Sequence, residues 1–292
     1  MKKVLTTLAV LLTVGMAYAS VSFNKINALC AGGRYAEARQ ELNAMLEGAS
    51  SDKDRASILG QLSKMSMLIG EEQPAKDQKQ KEFADGIKYA EQGIKLNPSD
   101  ETIWMWHCAN VGRDCQTRGM KDQIAAVGVM TEDLSTILNK LGRTEYSEAW
   151  QALAEIYFNH PFKSNDAAIN FTRKSLMTIP KGEIRIYYYS FFAKMLYQRN
   201  WSADRRKEEA VKNAAKFSSG KNSIEKFSFF DGSLGADFKP VWADKGLGAM
   251  PDREEAKAIA DYAKALYENA STKSKADNND YKALSAMQKG WK

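Results

Sequence analysis

The residues of this sequence that could do chemistry are few and widely spaced. The chain holds two histidines, His107 and His160, and three cysteines, Cys30, Cys108 and Cys115. A zinc site needs about four ligands at suitable spacing, and no CxxC or HExxH motif accompanies these residues. A Cys–His nucleophilic pair would also need a group to orient the histidine, which no motif supplies. We therefore predict no metal, no cofactor and no enzymatic activity.

Glu148 and Glu155 form a carboxylate pair whose spacing deserves a test against catalysis. They lie seven residues apart, so on one helix they share a face at roughly 10 Å, near the separation in an inverting glycosidase. Helix surfaces carry such pairs routinely, and no GxSxG, Walker-type or GxGxxG motif occurs in the chain. Solvated surface charges are the favoured interpretation. The formal charge is +6 with basic and acidic residues interspersed, which argues against a nucleic-acid site.

The N-terminus has the layout of a secretory signal peptide. Lys2 and Lys3 precede an uncharged apolar run from Val4 to Met16, and the segment Ala17-Tyr18-Ala19 gives a small-x-small cleavage pattern. The run is too short for a stable membrane span, and no later stretch is long and apolar enough for one. These features predict cleavage after Ala19 and a periplasmic or secreted protein.

Three cysteines are an odd number for an oxidising compartment. Cys108 and Cys115 would stand roughly 10 Å apart on an unbroken helix, too far for a disulfide. A turn at Gly112 could bring them together, and Cys30 could instead pair with either. The remaining interpretation is that all of them are small buried apolar residues.

Helical periodicity dominates the rest of the chain, with few prolines to interrupt it. Pro98 and Pro180 each close one helical stretch before another opens, because proline disfavours the helical conformation of the preceding residue. Residues 271–280 are predicted as a polar linker. The predicted helical stretches are 53–69, 82–96, 119–140, 146–158, 165–177, 183–198, 203–217, 252–269 and a short terminal helix at 281–292.

The stretch SEAWQALAEIY carries a packing pattern: Trp150, Leu153 and Tyr157 flank the small residue Ala154, where a second helix can approach closely. This spacing resembles the first helix of a tetratricopeptide repeat, and Leu96-Asn97-Pro98 followed by Trp104 resembles the end of one repeat and the start of the next. The chain resembles that superfamily over about residues 25–217. The resemblance implies an α-solenoid of helical hairpins that stack because one hairpin cannot bury its apolar face alone.

In that superfamily the first helix of each hairpin lines a concave surface, and the resemblance therefore implies a groove here. A groove of this mixed aromatic and charged character could hold a peptide or a polar small ligand. The residues that the register places in it are Glu148, Gln151, Glu155, Tyr187, Phe191 and Lys194.

The C-terminal third differs, because 218–251 is rich in glycine and aromatic residues. We expect its rings to dock on the repeats. The predicted units are 1–19, a signal peptide; 20–217, the repeat domain; 218–251, the docked segment; and 252–292, a helix and tail. The predicted function is an exported scaffold that binds a protein partner in the cell envelope, with homo-oligomerisation possible. The alternative is a ligand-binding accessory protein with a pocket between the repeat groove and the segment 218–251, a hypothesis that substitution of Tyr187 and Trp242 would test.

Overall fold

The computed structural model describes residues 22–160 and 163–291, and every regular element in those ranges is a helix. The predicted signal peptide at 1–19 lies outside the described residues. Within them, no helix combines the length and apolar character needed to cross a membrane. The all-α fold predicted from the sequence is confirmed.

The first eight helices are α1 Asn24–Ala31, α2 Tyr35–Gly48, α3 Asp52–Glu72, α4 Lys76–Leu96, α5 Glu101–Gln116, α6 Met120–Ser135, α7 Ser147–Asn159 and α8 Asn165–Met177, with a π-helical turn Thr136–Lys140 after α6. Among them, α3, α6, α7 and α8 lie at the predicted stretches 53–69, 119–140, 146–158 and 165–177, whereas α4 begins six residues before the predicted start at 82. The remaining elements are α9 Ile186–Arg199, α10 Ala203–Ser219, α11 Ser223–Phe227, α12 Phe230–Leu234, a 3₁₀ turn Leu247–Ala249, α13 Asp252–Asn269 and α14 Lys275–Lys289.

Polar caps explain where several helices begin. Ser51, Asp100, Ser164 and Ser202 precede α3, α5, α8 and α10, and the side chain of each accepts a hydrogen bond from a backbone N–H of the first turn. At the other end of a helix, Asn200 ends α9 in the left-handed conformation, with φ of 55°.

One local prediction was wrong, and one of the alternatives for the cysteines does not occur. Residues 271–280 are not a linker throughout, because Ser274 and Asp277 form a reciprocal capping box that starts α14 at Lys275. Gly112 does not turn the chain, because α5 runs unbroken through Cys108 and Cys115. All the cysteines are free thiols in the part of the chain that the structure describes.

Consecutive helices pack as antiparallel pairs, α1 with α2, α3 with α4, α5 with α6 and α7 with α8. The first helices of the second and third pairs, α3 and α5, also lie side by side, as stacking of hairpins requires. One core cluster joins α1, α2 and α3, and a larger one joins α5 through α9 with α13 and α14. The predicted helical-repeat architecture is confirmed at this level.

The helix that pairs with α9 comes from far along the chain. α9 packs most extensively against α13, whereas α10 packs against α12 and the 3₁₀ turn. The amphipathic stretch at 203–217 therefore forms a helix but does not complete a hairpin with α9. The place of a second helix is taken by a segment about fifty residues further on.

The segment 218–251 lies against the repeats through its aromatic rings. The centroid of Phe227 lies 5.0 Å from that of Trp150, and Trp242 meets Phe192 edge-on at 6.1 Å. Beyond it, α14 packs on α9 and α13, with Leu284 fully buried and the Trp291 ring stacked on Tyr197 at 4.6 Å. α14 thus covers the apolar end of the stack.

Candidate functional site

The residues of the predicted packing pattern meet in the core between α7 and α8. Trp150, Leu153 and Ala154 are fully buried. The Trp150 indole stacks on Phe171 of α8 at 5.6 Å, and its N–H donates to the Thr144 carbonyl at 2.8 Å. Tyr157 lies half-buried with its ring edge-on to Phe171 at 5.1 Å. These four side chains therefore form one packing unit, as the spacing implied.

The other packing residues are distributed differently. Trp104 on α5 donates its indole N–H to the carbonyl of Pro98 at 2.9 Å, so these two residues fix the turn between α4 and α5. Pro180 is exposed beyond the end of α8, where its carbonyl accepts the Glu183 N–H at 3.1 Å. It shapes the connection to α9 without entering the core.

The structure brings the six predicted groove residues together between α7 and α9, where Gln151 and Phe191 are buried and the other four are partly or fully exposed. On α7, Gln151 donates to the Glu155 carboxylate at 3.1 Å, and the Tyr187 hydroxyl of α9 interacts with the same carboxylate. Glu148 pairs with Arg185, just before α9, at 2.8 Å. Polar side chains of α7 therefore contact polar side chains at the start of α9.

The apolar half of the same surface is an aromatic cluster. Phe191 meets Phe158 of α7 edge-on at 5.3 Å and stacks on Tyr187 at 6.0 Å. The Lys194 ammonium lies 5.6 Å from the centroid of the Phe158 ring. Tyr187 remains 42% exposed, so the cluster presents a ring to solvent beside a carboxylate and an ammonium.

Burial sets the protonation behaviour of this surface. It raises the pKa of Glu155, although the hydrogen bonds from Gln151 and Tyr187 act in the opposite direction. Burial and the neighbouring Glu155 carboxylate raise the pKa of the Tyr187 hydroxyl. The tyrosine therefore stays a neutral donor at physiological pH, and Glu155 takes up a proton more readily than a solvated glutamate.

Tyr187 and Trp242, the two residues chosen to test the alternative pocket, contact different neighbours. Tyr187 contacts Tyr188 and Phe191, whereas Trp242 packs on Tyr189 and Phe192. At 100° per residue, positions 187 and 189 point to opposite sides of α9. The two rings are therefore separated by the helix itself.

A buried arginine–carboxylate cluster, which sequence reasoning missed, lies where α8, α9 and α10 meet α12 and α13. Its members are Arg173, Arg199, Arg206, Asp231, Asp252 and Glu255. Arg173 has no exposed surface and donates to Glu255 through Nη1 at 2.6 Å and Nη2 at 3.0 Å. Its Nε also bonds to Asp231 of α12.

The other two arginines complete the cluster. Arg206 of α10 donates a hydrogen bond to Glu255 at 2.5 Å, and Arg199 donates two to Asp252, at 2.7 and 2.8 Å. Burial alone would raise the pKa of Glu255, but Arg173 and Arg206 hold it at about 2. The carboxylate is therefore ionised at every physiological pH.

The geometry of this cluster indicates a structural role, in which ion pairs hold α8, α9 and α10 against α12 and α13, and not a reactive site. Its charged groups bind one another, and the adjoining cavity of about 20 Å³ has room for roughly one water molecule. One signal in the sequence pointed to it: Arg173 stands at an apolar position of α8, between Ile169 and Leu176 in helical spacing.

A second concavity lies where the end of α3 and the start of α4 meet the end of α5. Its volume is about 580 Å³ and it is open to solvent. Arg113 there pairs with Glu71 at 2.6 Å, and Arg118 pairs with Asp114 at 2.7 Å. Two of the four basic residues that line it are thus paired with neighbouring carboxylates.

The histidines and cysteines do not assemble into a reactive centre. His107 Nδ1 lies 2.7 Å from Asp133 on α6, a buried contact that joins two helices. Among residues 22–160 and 163–291, no group of three or more His, Cys, Asp or Glu is placed to hold a metal ion.

Comparison with known proteins adds no identification. No protein-family model matches this chain, and no curated protein matches its sequence.

Proposed function

We propose that this protein is an exported helical-repeat scaffold, resembling tetratricopeptide proteins, whose groove residues bind a protein partner in the cell envelope. Export rests on the sequence of residues 1–19, with cleavage after Ala19 and a periplasmic or secreted destination. The scaffold role rests on the α7–α9 surface. It combines an exposed aromatic ring with paired charges on rigid helices, the combination that peptide-binding grooves use.

The observation that carries the proposal is the state of Tyr187. It is 42% exposed, yet its ring is stacked on Phe191 and its hydroxyl interacts with the Glu155 carboxylate. A preorganised, partly exposed tyrosine loses little conformational entropy when a partner covers it, so it is well suited to anchor an interface.

Site-specific photocrosslinking in the native envelope tests this function. A benzophenone amino acid replaces Tyr187 or Lys194 in the groove, and the control replaces Val211 of α10, which is 71% exposed and lies outside it. We expect one defined protein adduct from both groove positions and none from position 211. Adducts of equal yield at all three positions, or none in the groove, would contradict the assignment of the partner site.

A competition arm sharpens the result. The soluble variant Lys194→Glu reverses a charge that lies over the Phe158 ring, without removing buried surface. Added in excess, unlabelled wild-type protein should suppress the adduct, and Lys194→Glu should suppress it about tenfold less well. Equal suppression by both proteins would show that the groove does not choose the partner.

A further inference from the structure

The outer side of α6 carries three exposed apolar side chains that nothing in the described chain covers. Met120 is 78% exposed, Ile124 59% and Val129 45%. At 100° per residue Lys121, Gly128 and Glu132 lie along the middle of this side. Ile124 and Val129 flank them on opposite edges, and Met120 lies beyond Ile124. Other exposed apolar side chains in the described residues stand on separate elements, whereas α6 gathers three.

Gly128 gives this face a second unusual feature. A glycine inside a helix costs about 1 kcal/mol relative to alanine, and internal packing usually explains it. Gly60 and Gly93 fit that explanation, because a Cβ at either position would meet Ile103 at 3.1 Å. A Cβ on Gly128 would meet nothing within 4 Å. The missing side chain therefore serves no contact within the described part of this chain.

The charges on the face are arranged with two-fold complementarity. Lys121 and Glu132 both lie on the exposed side of α6, about 16 Å apart along its axis. Lys121 makes no salt bridge within residues 22–160 and 163–291, and Glu132 pairs with Lys140 where both side chains are exposed. Such a surface pair contributes little and exchanges readily.

We propose that α6 is a homodimerisation helix, which packs antiparallel against α6 of a second copy of this chain. A two-fold axis between positions 126 and 127 sets Ile124 against Val129 of the second copy and Ala125 against its Gly128. The same axis sets Lys121 against Glu132 twice. A parallel arrangement would bring like charges together, so the charges select the antiparallel one.

The small residues at the crossing explain the helix-interior glycine. Ala125 and Gly128 allow the two axes to approach to the 8–10 Å typical of packed helices, with Ile124 and Val129 filling the space beside them. The contact involves one helix from each copy, so its area is small and the dimer should dissociate at about micromolar concentrations. Because α6 is the second helix of its hairpin, the groove residues on α7 and α9 stay open.

Sedimentation velocity on the mature chain, from about 1 to about 500 μM, tests the proposal. We expect a concentration-dependent dimer. Lys121→Glu and Glu132→Lys should each weaken it by at least about tenfold, because each places two pairs of like charges in contact. The double variant Lys121→Glu with Glu132→Lys should restore it. Lys207→Glu, a charge reversal at an exposed position on α10, is the matched control and should leave it unchanged.

Three results would overturn the proposal: a wild-type monomer throughout that range, a dimer that persists in both single variants, or a double variant that fails to recover. All of these positions are exposed, so far-UV circular dichroism should show unchanged helix content in every variant. Ile124→Lys adds a test of the apolar contact, and it should abolish the dimer with the fold intact.

Discussion

Replacing Arg173 by methionine tests whether the buried arginine–carboxylate cluster holds the C-terminal part of the chain in place. Arg173 is the one arginine that joins α12 to α13, since it bonds to both Asp231 and Glu255. Methionine keeps much of the side-chain volume and its contact with Phe192, whose ring centroid lies 4.7 Å from the guanidinium carbon.

The expected cost follows from which charges are left without a partner. Glu255 keeps Arg206 at 2.5 Å and the Trp242 indole N–H at 3.1 Å. Asp231 loses its bonds to a guanidinium and stays largely buried. Removing one partner of a buried ion pair lowers the free energy of unfolding by about 3–5 kcal/mol. That is a large share of the roughly 5–15 kcal/mol by which a typical domain is stable.

Urea unfolding followed by circular dichroism and tryptophan fluorescence measures this loss. The control is Arg143→Met, which breaks an exposed pair with Glu101 and should cost less than about 1 kcal/mol. Adding Asp231→Asn to Arg173→Met should recover part of the loss, because the unpaired buried charge is removed. If Arg173→Met lowers the free energy of unfolding by no more than the control does, the idea that the cluster holds the C-terminal helices in place is refuted.

Four further outcomes are expected. The pKa of Glu255 is held at about 2, so its stabilisation is full above about pH 4.5 and disappears as pH falls towards 2; Glu255→Gln should therefore flatten the acid limb of a stability–pH curve. The pKa of Glu155 is raised, so its charge lowers stability as pH rises; Glu155→Gln should increase the free energy of unfolding at pH 7, with no difference below about pH 4. In thermal melts, Gly232→Ala should lose at least about 2 kcal/mol because its Cβ would overlap the backbone of α10, whereas Gly48→Ala, whose Cβ meets nothing within 4 Å, should not. A thiol reagent should fail to label Cys108 before unfolding, because burial raises its pKa and closes access; labelling at the rate of a free thiol would contradict the packing.

Local sequence signals were sufficient for helices whose two ends are both marked. The structure places α8 at Asn165–Met177 and α13 at Asp252–Asn269, the ranges predicted from periodicity and flanking Ser, Pro or polar residues. The linker prediction failed at Ser274 because a polar composition was given more weight than the S-x-x-D capping pattern within it. The capping pattern starts α14 at Lys275, so residues 275–280 belong to the helix despite their polar composition.

Pairing between distant helices was beyond the local pattern. α10 and α13 are both amphipathic and both follow α9, and periodicity alone cannot say which of them packs on it. The same applies to the site: Arg173 is visible in the sequence as a charge on an apolar face, but its partners lie 58 and 82 residues away. The six residues that meet between α7 and α9 were named from the register of the repeat resemblance, because spacing within one helix does not say which other helix lies beside it.

The buried charges distinguish α13 from α10 as the partner of α9, which the apolar faces of the two helices do not. If α10 took the place of α13 on α9, Arg206 would be carried away from Glu255 and Asp252, and Arg173 and Arg199 would lose their carboxylates as well. Each stranded charge would cost several kcal/mol, far more than one apolar face gains over another. A buried ionic cluster adds little net stability compared with apolar packing, yet it penalises the wrong pairing heavily. The arginines of α8, α9 and α10 therefore explain why a helix fifty residues downstream, and not the next one, completes this stack.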